Sequence, residues 1–404
     1  MEYNALDERR SISPQRMNFR FLSLHALLLG SLSCGGAYAA TLTLTAPLDY
    51  QVVQRFSADK GRIPISGVLG ALGALGERRE GEGALEVRVN EYGKQATWQK
   101  LSVEPRDGAF QTGLEAPAGG WYRLEFRVVV EGKAVAETSV EHVGVGEVFV
   151  VAGQSNSANY GAEKTATLTG RVSAFDGKTW RISQDPQPGA GGNGGSFMPG
   201  LGDTLADAFH VPVGFVACGA GGTSVRAWLP KGVRSPVLPT GATSSLKSGE
   251  YESPGTLYGR LTALMKTLGP QGFRAVLWHQ GESDANQKDP TRTLPGELYQ
   301  EYLQQIIRDS RTAAGWEVPW FVAQVSYHVP GDEASPDIRG AQAALWSSGV
   351  ALQGPDTDTL KGELRERQGQ GVHFSGDGLR AHAGLWAQRL TPWLKTRLAE
   401  PAQP

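Results

Sequence analysis

Cysteine is almost missing from this 404-residue chain, which carries only Cys34 and Cys218. That excludes a disulfide framework and a thiolate cage for zinc, and a chain of this length with 40% hydrophobic residues can bury a core without either. A charge imbalance is missing too, since 39 Lys and Arg stand against 41 Asp and Glu. No overall field recruits nucleic acid or an acidic membrane surface, and a neutral substrate fits best. The sequence shows no internal repeat, no coiled-coil heptad and, past its N-terminal segment, no apolar run long enough to cross a bilayer. His, Asp and Glu do not cluster at a zinc spacing, so neither a metal nor another cofactor is implied.

The N-terminal segment has the chemistry of a leader. Met17 and Arg20 precede the apolar run Phe21 to Leu32, and Ala37-Tyr38-Ala39 is an A-x-A cleavage signal. Residues 1–39 are read as an N-terminal extension and signal peptide, with Met17 the expected start and cleavage after Ala39. The mature protein is then exported, periplasmic or secreted, and retains Cys218 alone. Cys218 lies on an apolar run, which predicts a buried, inert thiol.

Between residues 40 and 146 short alternating runs are separated by turn clusters: Thr41 to Thr45, Leu85 to Val89, and Trp121 to Val129. Alternation means one face buried and one wet, and several such strands with Gly/Pro turns predict a small all-β, immunoglobulin-like sandwich. Over 147–404 the rhythm changes. Val148 to Ala152, Val211 to Ala217, Ala275 to Trp278 and Trp320 to Val325 read as buried strands, while Leu257 to Leu268 and Tyr299 to Arg311 have helical spacing. Continuous apolar strands alternating with helices predict a parallel sheet covered on both faces, with function at the carboxyl ends of its strands. The Gly- and Pro-rich stretch from Gln184 to Gly200 reads as a long loop, either a lid or plain surface.

Four short elements at strand ends or in the last loop carry chemistry. Gly153-Gln154-Ser155-Asn156 follows the first buried strand and presents the Ser155 hydroxyl at a corner, with its amide free to face an oxyanion. Taken alone it is also an ordinary N-cap turn. Cys218-Gly219-Ala220-Gly221-Gly222-Thr223 follows the next strand, where glycine lets an amide approach a substrate oxygen. Trp278-His279-Gln280-Gly281-Glu282-Ser283-Asp284 follows a third strand and is too polar to bury without purpose. Gln280 could donate to an oxyanion, whereas His279 reads as a structural histidine. Finally, His373 in Gly371-Val372-His373-Phe374 precedes a C-terminal helix and can fold back over the sheet. His382 inside that helix is read as surface or packing, and Asp377 as a complement to the helix dipole.

Together, in this order, the four elements resemble the sialate O-acetylesterase type of carbohydrate esterase within the SGNH hydrolase superfamily, over roughly 148–395. The resemblance implies a flavodoxin-like three-layer α/β fold and an esterase that removes O-acetyl groups from a carbohydrate through an acetyl-enzyme. Ser155 is then the nucleophile and His373 the base, with the amides of Ser155 and Gly222 and the side chain of Gln280 forming the oxyanion hole. Gln154, Asn156 and Trp228 are the expected substrate-binding residues, and an acetylated sialic acid or polysaccharide the expected partner. One position departs from the pattern: family members commonly carry an aspartate three residues before the histidine, and here that residue is Gln370. Three accounts follow: Glu282 or another carboxylate orients His373, a Ser-His dyad operates, or activity is low. Glu282 is the preferred orienting acid. A catalytically silent carbohydrate-binding protein on the same fold is the competing reading, and a lipase or thioesterase a third.

Overall fold

The computed structural model describes residues 40–70, 83–235, 251–285 and 293–400. The leader, with Met17 and Cys34, lies outside them.

The N-terminal strands are β1 (Thr41–Ala46), β2 (Gln51–Gln54), β3 (Lys60–Gly70), β4 (Ala84–Asn90), β5 (Gln99–Leu101), β6 (Ala109–Pro117), β7 (Gly119–Val130) and β8 (Lys133–Gly153). β1, β3 and β6 make one antiparallel sheet, and β4, β5, β7 and the first part of β8 belong to another. Alternate residues turn inward, so Ile63 and Ile65 of β3, Phe110 and Leu114 of β6, and Leu124, Phe126 and Val128 of β7 share one buried cluster. The alternation read in the sequence therefore marks the inner face of each strand.

The boundary expected at 146–147 falls inside β8, which runs unbroken for 21 residues. Its first part pairs with β7; its last part is the centre of a parallel sheet with β9 (Val172–Phe175), β11 (Val213–Ala217), β14 (Ala275–His279), β15 (Trp320–Gln324) and β16 (Leu352–Asp356). β10 (Trp180–Ile182) closes one edge antiparallel, and β12 (Arg234–Ser235) and β13 (Tyr251–Glu252) form a separate ribbon. At the point where β8 passes from one sheet to the other, the buried Glu147 carboxylate meets Arg55 at 2.7 Å, Arg274 at 2.7 Å and the Gln54 amide at 3.0 Å.

Side chains of the parallel strands alternate between two cores. Val148, Val150, Val276, Trp278 and Val322 pack with helices α2 (Thr256–Leu268), α3 (Gly296–Ala314) and α4 (Pro336–Ser347), whereas Phe149, Val151, Phe215, Leu277 and Phe321 pack with α1 (Met198–Phe209) and α6 (Gly376–Ala399). The short α5 (Glu366–Gly369) lies in the loop before α6. Both faces of the sheet are covered, which is why these strands read as continuous apolar runs.

The order β10-β9-β11-β8-β14-β15-β16 fixes where chemistry can gather. From β8 the chain builds β9 and β11 to one side, then β14, β15 and β16 to the other. The crevice outside the carboxyl end of β8 is therefore the topological switch point, the usual ligand position in open parallel sheets. Ser155 follows β8 there, flanked by the segments after β11 and β14.

Candidate active site

The serine corner is made by Gly153. Its φ of +126° and an approach in which a Cβ would stand 2.1 Å from the His279 carbonyl oxygen leave room only for glycine. The Gln154 amide donates to that carbonyl at 2.9 Å, ending the β8–β14 ladder. The chain then turns through one 3₁₀ turn, Ser155–Ser157, closed by the Ser157 hydroxyl donating to the Gln154 carbonyl at 2.7 Å. Ser155 is largely buried, yet neither its hydroxyl nor its amide has a partner among the described residues. The amide of Gly222, exposed on its turn at φ +67°, is also unpartnered among them.

His373 is positioned by a short antiparallel pairing that the sequence does not announce. Arg365 bridges Phe374, the Glu366 amide donates to the His373 carbonyl at 2.9 Å, and the chain reverses through Arg367 and Gln368, both at positive φ. Residues 366 and 373 thus stand opposite one another, the arrangement that brings side chains on paired strands into contact. Glu366 Oε1 lies 2.9 Å from His373 Nδ1. Burial pushes the His373 pKa below the ordinary imidazole value while Glu366 works to raise it, so the ring is a free base at neutral pH.

The serine and histidine segments are neighbours. The Asn156 carboxamide donates to the Val372 carbonyl at 3.2 Å, the Ala162 amide to the Phe374 carbonyl at 3.0 Å, and the Tyr160 and His373 rings are 5.3 Å apart. The Ser155 hydroxyl and the imidazole are not themselves hydrogen-bonded, as is common where such bonds tighten only around substrate.

Several expected assignments change. Glu282 is not the carboxylate at His373: it is buried, accepts from Asn156 Nδ2 at 2.9 Å, has an Oε2 without a partner among the described residues, and burial pushes its pKa up to about 7. Gln280 is not free to hold an oxyanion, because its Nε2 is already directed at Asp284 Oδ2 (2.7 Å), the Thr223 carbonyl (3.1 Å) and Gln154 Oε1 (3.3 Å). Both Asn156 amide hydrogens are likewise engaged, on Glu282 and Val372, so that side chain is a tether between segments. Trp228, expected at the substrate, is not at the surface of the site. It is fully buried, its ring edge meets Trp278 at 5.2 Å and its Nε1 donates to the Thr223 hydroxyl at 3.1 Å.

Gln154 keeps a donor to offer. Its Oε1 is held by the Ser283 amide at 3.0 Å, leaving Nε2 unpartnered among the described residues. Asp284 anchors the wall behind, accepting from the Val225 amide at 2.8 Å and from the Ser224 hydroxyl. His279 is structural: it is sealed from solvent, its Nε2 pairs with the Thr357 hydroxyl at 2.9 Å and burial lowers its pKa to about 3. His382 is packing, with its Nε2 accepting from Trp386 Nε1 at 3.0 Å. Burial pushes the Cys218 thiol up to about 12, which removes it as a nucleophile.

The stretch from Gln184 to Gly200 is pinned beside the serine turn. The Asn159 amide donates to the Gly191 carbonyl at 2.9 Å, the Gln187 amide to Asn159 Oδ1 at 2.6 Å, and Asp185 accepts from the Ser196 hydroxyl at 2.6 Å.

A serine hydroxyl at a sheet switch point, on a segment bonded to a loop in which an imidazole meets a carboxylate, is an arrangement that hydrolases use. Residues 145–390 match the family described as carbohydrate esterase, sialic acid-specific acetylesterase, and the chain belongs to that family. It is a carboxylic ester hydrolase that removes O-acetyl groups from carbohydrates, so its substrate is an acetylated carbohydrate. Among solved structures it is similar to a carbohydrate acetylesterase from Xanthomonas citri (20% identity, 86% of this chain and 74% of that one, TM-score 0.48). It is also similar to a protein from Arabidopsis thaliana (18%, 61% and 98%, TM-score 0.42) and a family two carbohydrate esterase from Clostridium thermocellum in complex with cellohexaose (12%, 84% and 93%, TM-score 0.36). No curated protein sequence matches it. Among the described residues no helix is long and apolar enough to cross a membrane.

Proposed function

We propose that the protein deacetylates its carbohydrate by serine catalysis through an acetyl-enzyme, with Ser155 as nucleophile, His373 as base and Glu366 as the acid that orients the base. The observation that carries this reading is a Ser155 hydroxyl at the switch point that has no partner among the described residues, on a segment hydrogen-bonded to the loop in which Glu366 meets His373 Nδ1. Ser155 Oγ attacks the acetyl carbonyl carbon as its proton passes to His373 Nε2. The resulting oxyanion accepts from the amides of Ser155 and Gly222, with Gln154 Nε2 a third donor in place of Gln280. Collapse expels the sugar oxygen, which takes the proton from His373. Water, deprotonated by the same nitrogen, then releases acetate and returns the proton to Ser155.

The parallel sheet covered by helices on both faces supports the flavodoxin-like SGNH assignment, and the two N-terminal sheets around one core support an immunoglobulin-like sandwich that braces the esterase domain. The leader chemistry of residues 1–39 makes the mature protein exported, periplasmic or secreted. Glu366 supplies the acid that Gln370 does not, which removes the motive for a silent binding protein.

Acetate release from acetylated sialic acid and from acetylated polysaccharides identifies the sugar. Hydrolysis of p-nitrophenyl acetate by the full chain and by Ser155→Ala tests the mechanism. The expected loss is about 10⁴-fold or more in kcat, and a variant as active as wild type would end the assignment.

A further inference from the structure

We propose that Arg365 is a positioning residue for this site: its buried guanidinium joins the Asn156 carboxamide on the carbonyl oxygen of Val372, and so fixes the His373 imidazole relative to the Ser155 turn. The proposal rests on the assignment of Ser155 and His373 given above.

Arg365 is 1% exposed and has no carboxylate within ion-pair distance among the described residues. Burying a charge in this way is costly unless its donors are met. Here they are met by the loop itself: Nε donates to the Leu360 carbonyl at 2.6 Å, Nη1 to Val372 at 2.7 Å and Nη2 to Thr357 at 2.9 Å. The rings of Tyr327 and Phe374 each lie 4.2 Å from the guanidinium carbon. A planar fork sends donors in fixed directions from three separate nitrogens, one to each carbonyl, whereas lysine's three N–H radiate from a single nitrogen.

The three carbonyls belong to the loop between β16 and α6, so the loop is wrapped around the guanidinium. Arg365 also pairs by its backbone with Phe374, and the next residue is Glu366. One residue therefore sets both members of the His373–Glu366 pair. The loop needs such a clamp, since Arg367 and Gln368 hold φ of +55° and +57°, a region that non-glycine residues avoid.

Val372 is where the two halves of the site are joined. Its carbonyl accepts from Arg365 on one side and from Asn156 at 3.2 Å on the other, and Glu282 Oε1 holds the second Asn156 hydrogen at 2.9 Å. The residue after the nucleophile is thus bonded to the residue before the base. Loosening that junction changes the Ser155–His373 separation, and a misplacement of about 1 Å costs on the order of 10²-fold in rate.

The test uses full-length Arg365→Lys, Arg365→Met, Asn156→Ala and the double variant Arg365→Lys/Asn156→Ala, assayed on p-nitrophenyl acetate with melting curves alongside. Each single variant should melt cooperatively and lose about 10–100-fold in kcat with little change in KM. Phosphonylation of Ser155 by a fluorophosphonate probe, which also needs the base, should slow in parallel. Because the two donors share one acceptor, the double variant should lose less than the product of the single losses. Wild-type kcat in folded Arg365 variants, or a fully multiplicative double variant, overturns the proposal. If the Arg365 variants do not fold, Asn156→Ala decides alone: lower kcat at constant KM supports the junction, and unchanged kcat refutes it. Ser155→Ala and His373→Ala separate the two levels, since activity surviving in either would sink the underlying assignment whatever Arg365 does.

Discussion

Replacing Glu366 by glutamine leaves the loop's shape but removes the charge that faces the imidazolium formed during attack. The carboxylate oxygen lies 2.9 Å from His373 Nδ1, which puts the two centres of charge about 4 Å apart and makes their attraction about 4 kcal/mol at an effective dielectric of 20. Both side chains are about a fifth exposed, at 21% and 17%, so solvent screens part of this. The expected loss in kcat is about 10²–10³-fold, below the ~10⁴ seen when a triad acid becomes an amide and fixes the wrong tautomer. The pH profile supplies a second reading. Activity needs neutral His373, so it falls as pH drops through the imidazole pKa, which burial already holds below the ordinary value. Glu366 raises that pKa, so Glu366→Gln should move the acid limb to still lower pH while lowering the plateau. Glu282→Gln, which preserves an acceptor for Asn156, should retain most of the activity and leave the acid limb in place. Steady-state hydrolysis of p-nitrophenyl acetate across pH measures both. The reasoning fails if Glu366→Gln matches wild type, or if Glu282→Gln is the variant whose acid limb shifts.

Three further outcomes follow from the geometry. Gly153→Ala forces a Cβ against the His279 carbonyl at a positive φ, so it should lower the melting temperature by a strain of about 1–3 kcal/mol or more and lower activity with it. Glu147→Leu strips the carboxylate from two guanidiniums where β8 changes sheets, and denaturant unfolding should show a loss of about 3–5 kcal/mol. Gln280→Ala takes a donor from buried Asp284 and should cost about 1–3 kcal/mol of stability; unchanged melting together with a 10²-fold lower kcat would restore Gln280 to the oxyanion hole.

Strands with both faces buried were legible because their apolar runs are continuous, as in Val148 to Ala152, Ala275 to Trp278 and Trp320 to Val325. The serine corner was legible only in company, since Gly153-Gln154-Ser155-Asn156 alone also reads as an N-cap turn and it was the order of four strand-end motifs that singled it out; the geometry at Gly153 shows the constraint behind it. Glu366 was not. The family habit directs attention three residues before the histidine, to the exposed Gln370, whereas the carboxylate that reaches the ring comes from seven residues before it across a paired strand. Gly369 and Gly371 between the two were the available signal of a chain reversal, and reversal is what turns a distance in sequence into a cross-strand contact.

Within the motif Trp278 to Asp284 the roles expected of Gln280 and Glu282 changed in a more instructive way. Its residue types are those of a catalytic wall, and the polarity argument that some purpose must justify burying them holds. A sequence shows which hydrogens a side chain carries but not which of them the fold has already used. Gln280 has two, and Asp284 and Thr223 lie in wait for them, while Gln154, in the serine corner itself, has its oxygen fixed and its amide nitrogen without a partner among the described residues. A donor toward substrate must be held in place by something and still be unspent. In this wall Gln280 and Ser283 do the holding, and among the described residues Gln154 Nε2 is the donor that remains, which is why the proposed mechanism puts Gln154 beside the Ser155 and Gly222 amides in place of Gln280.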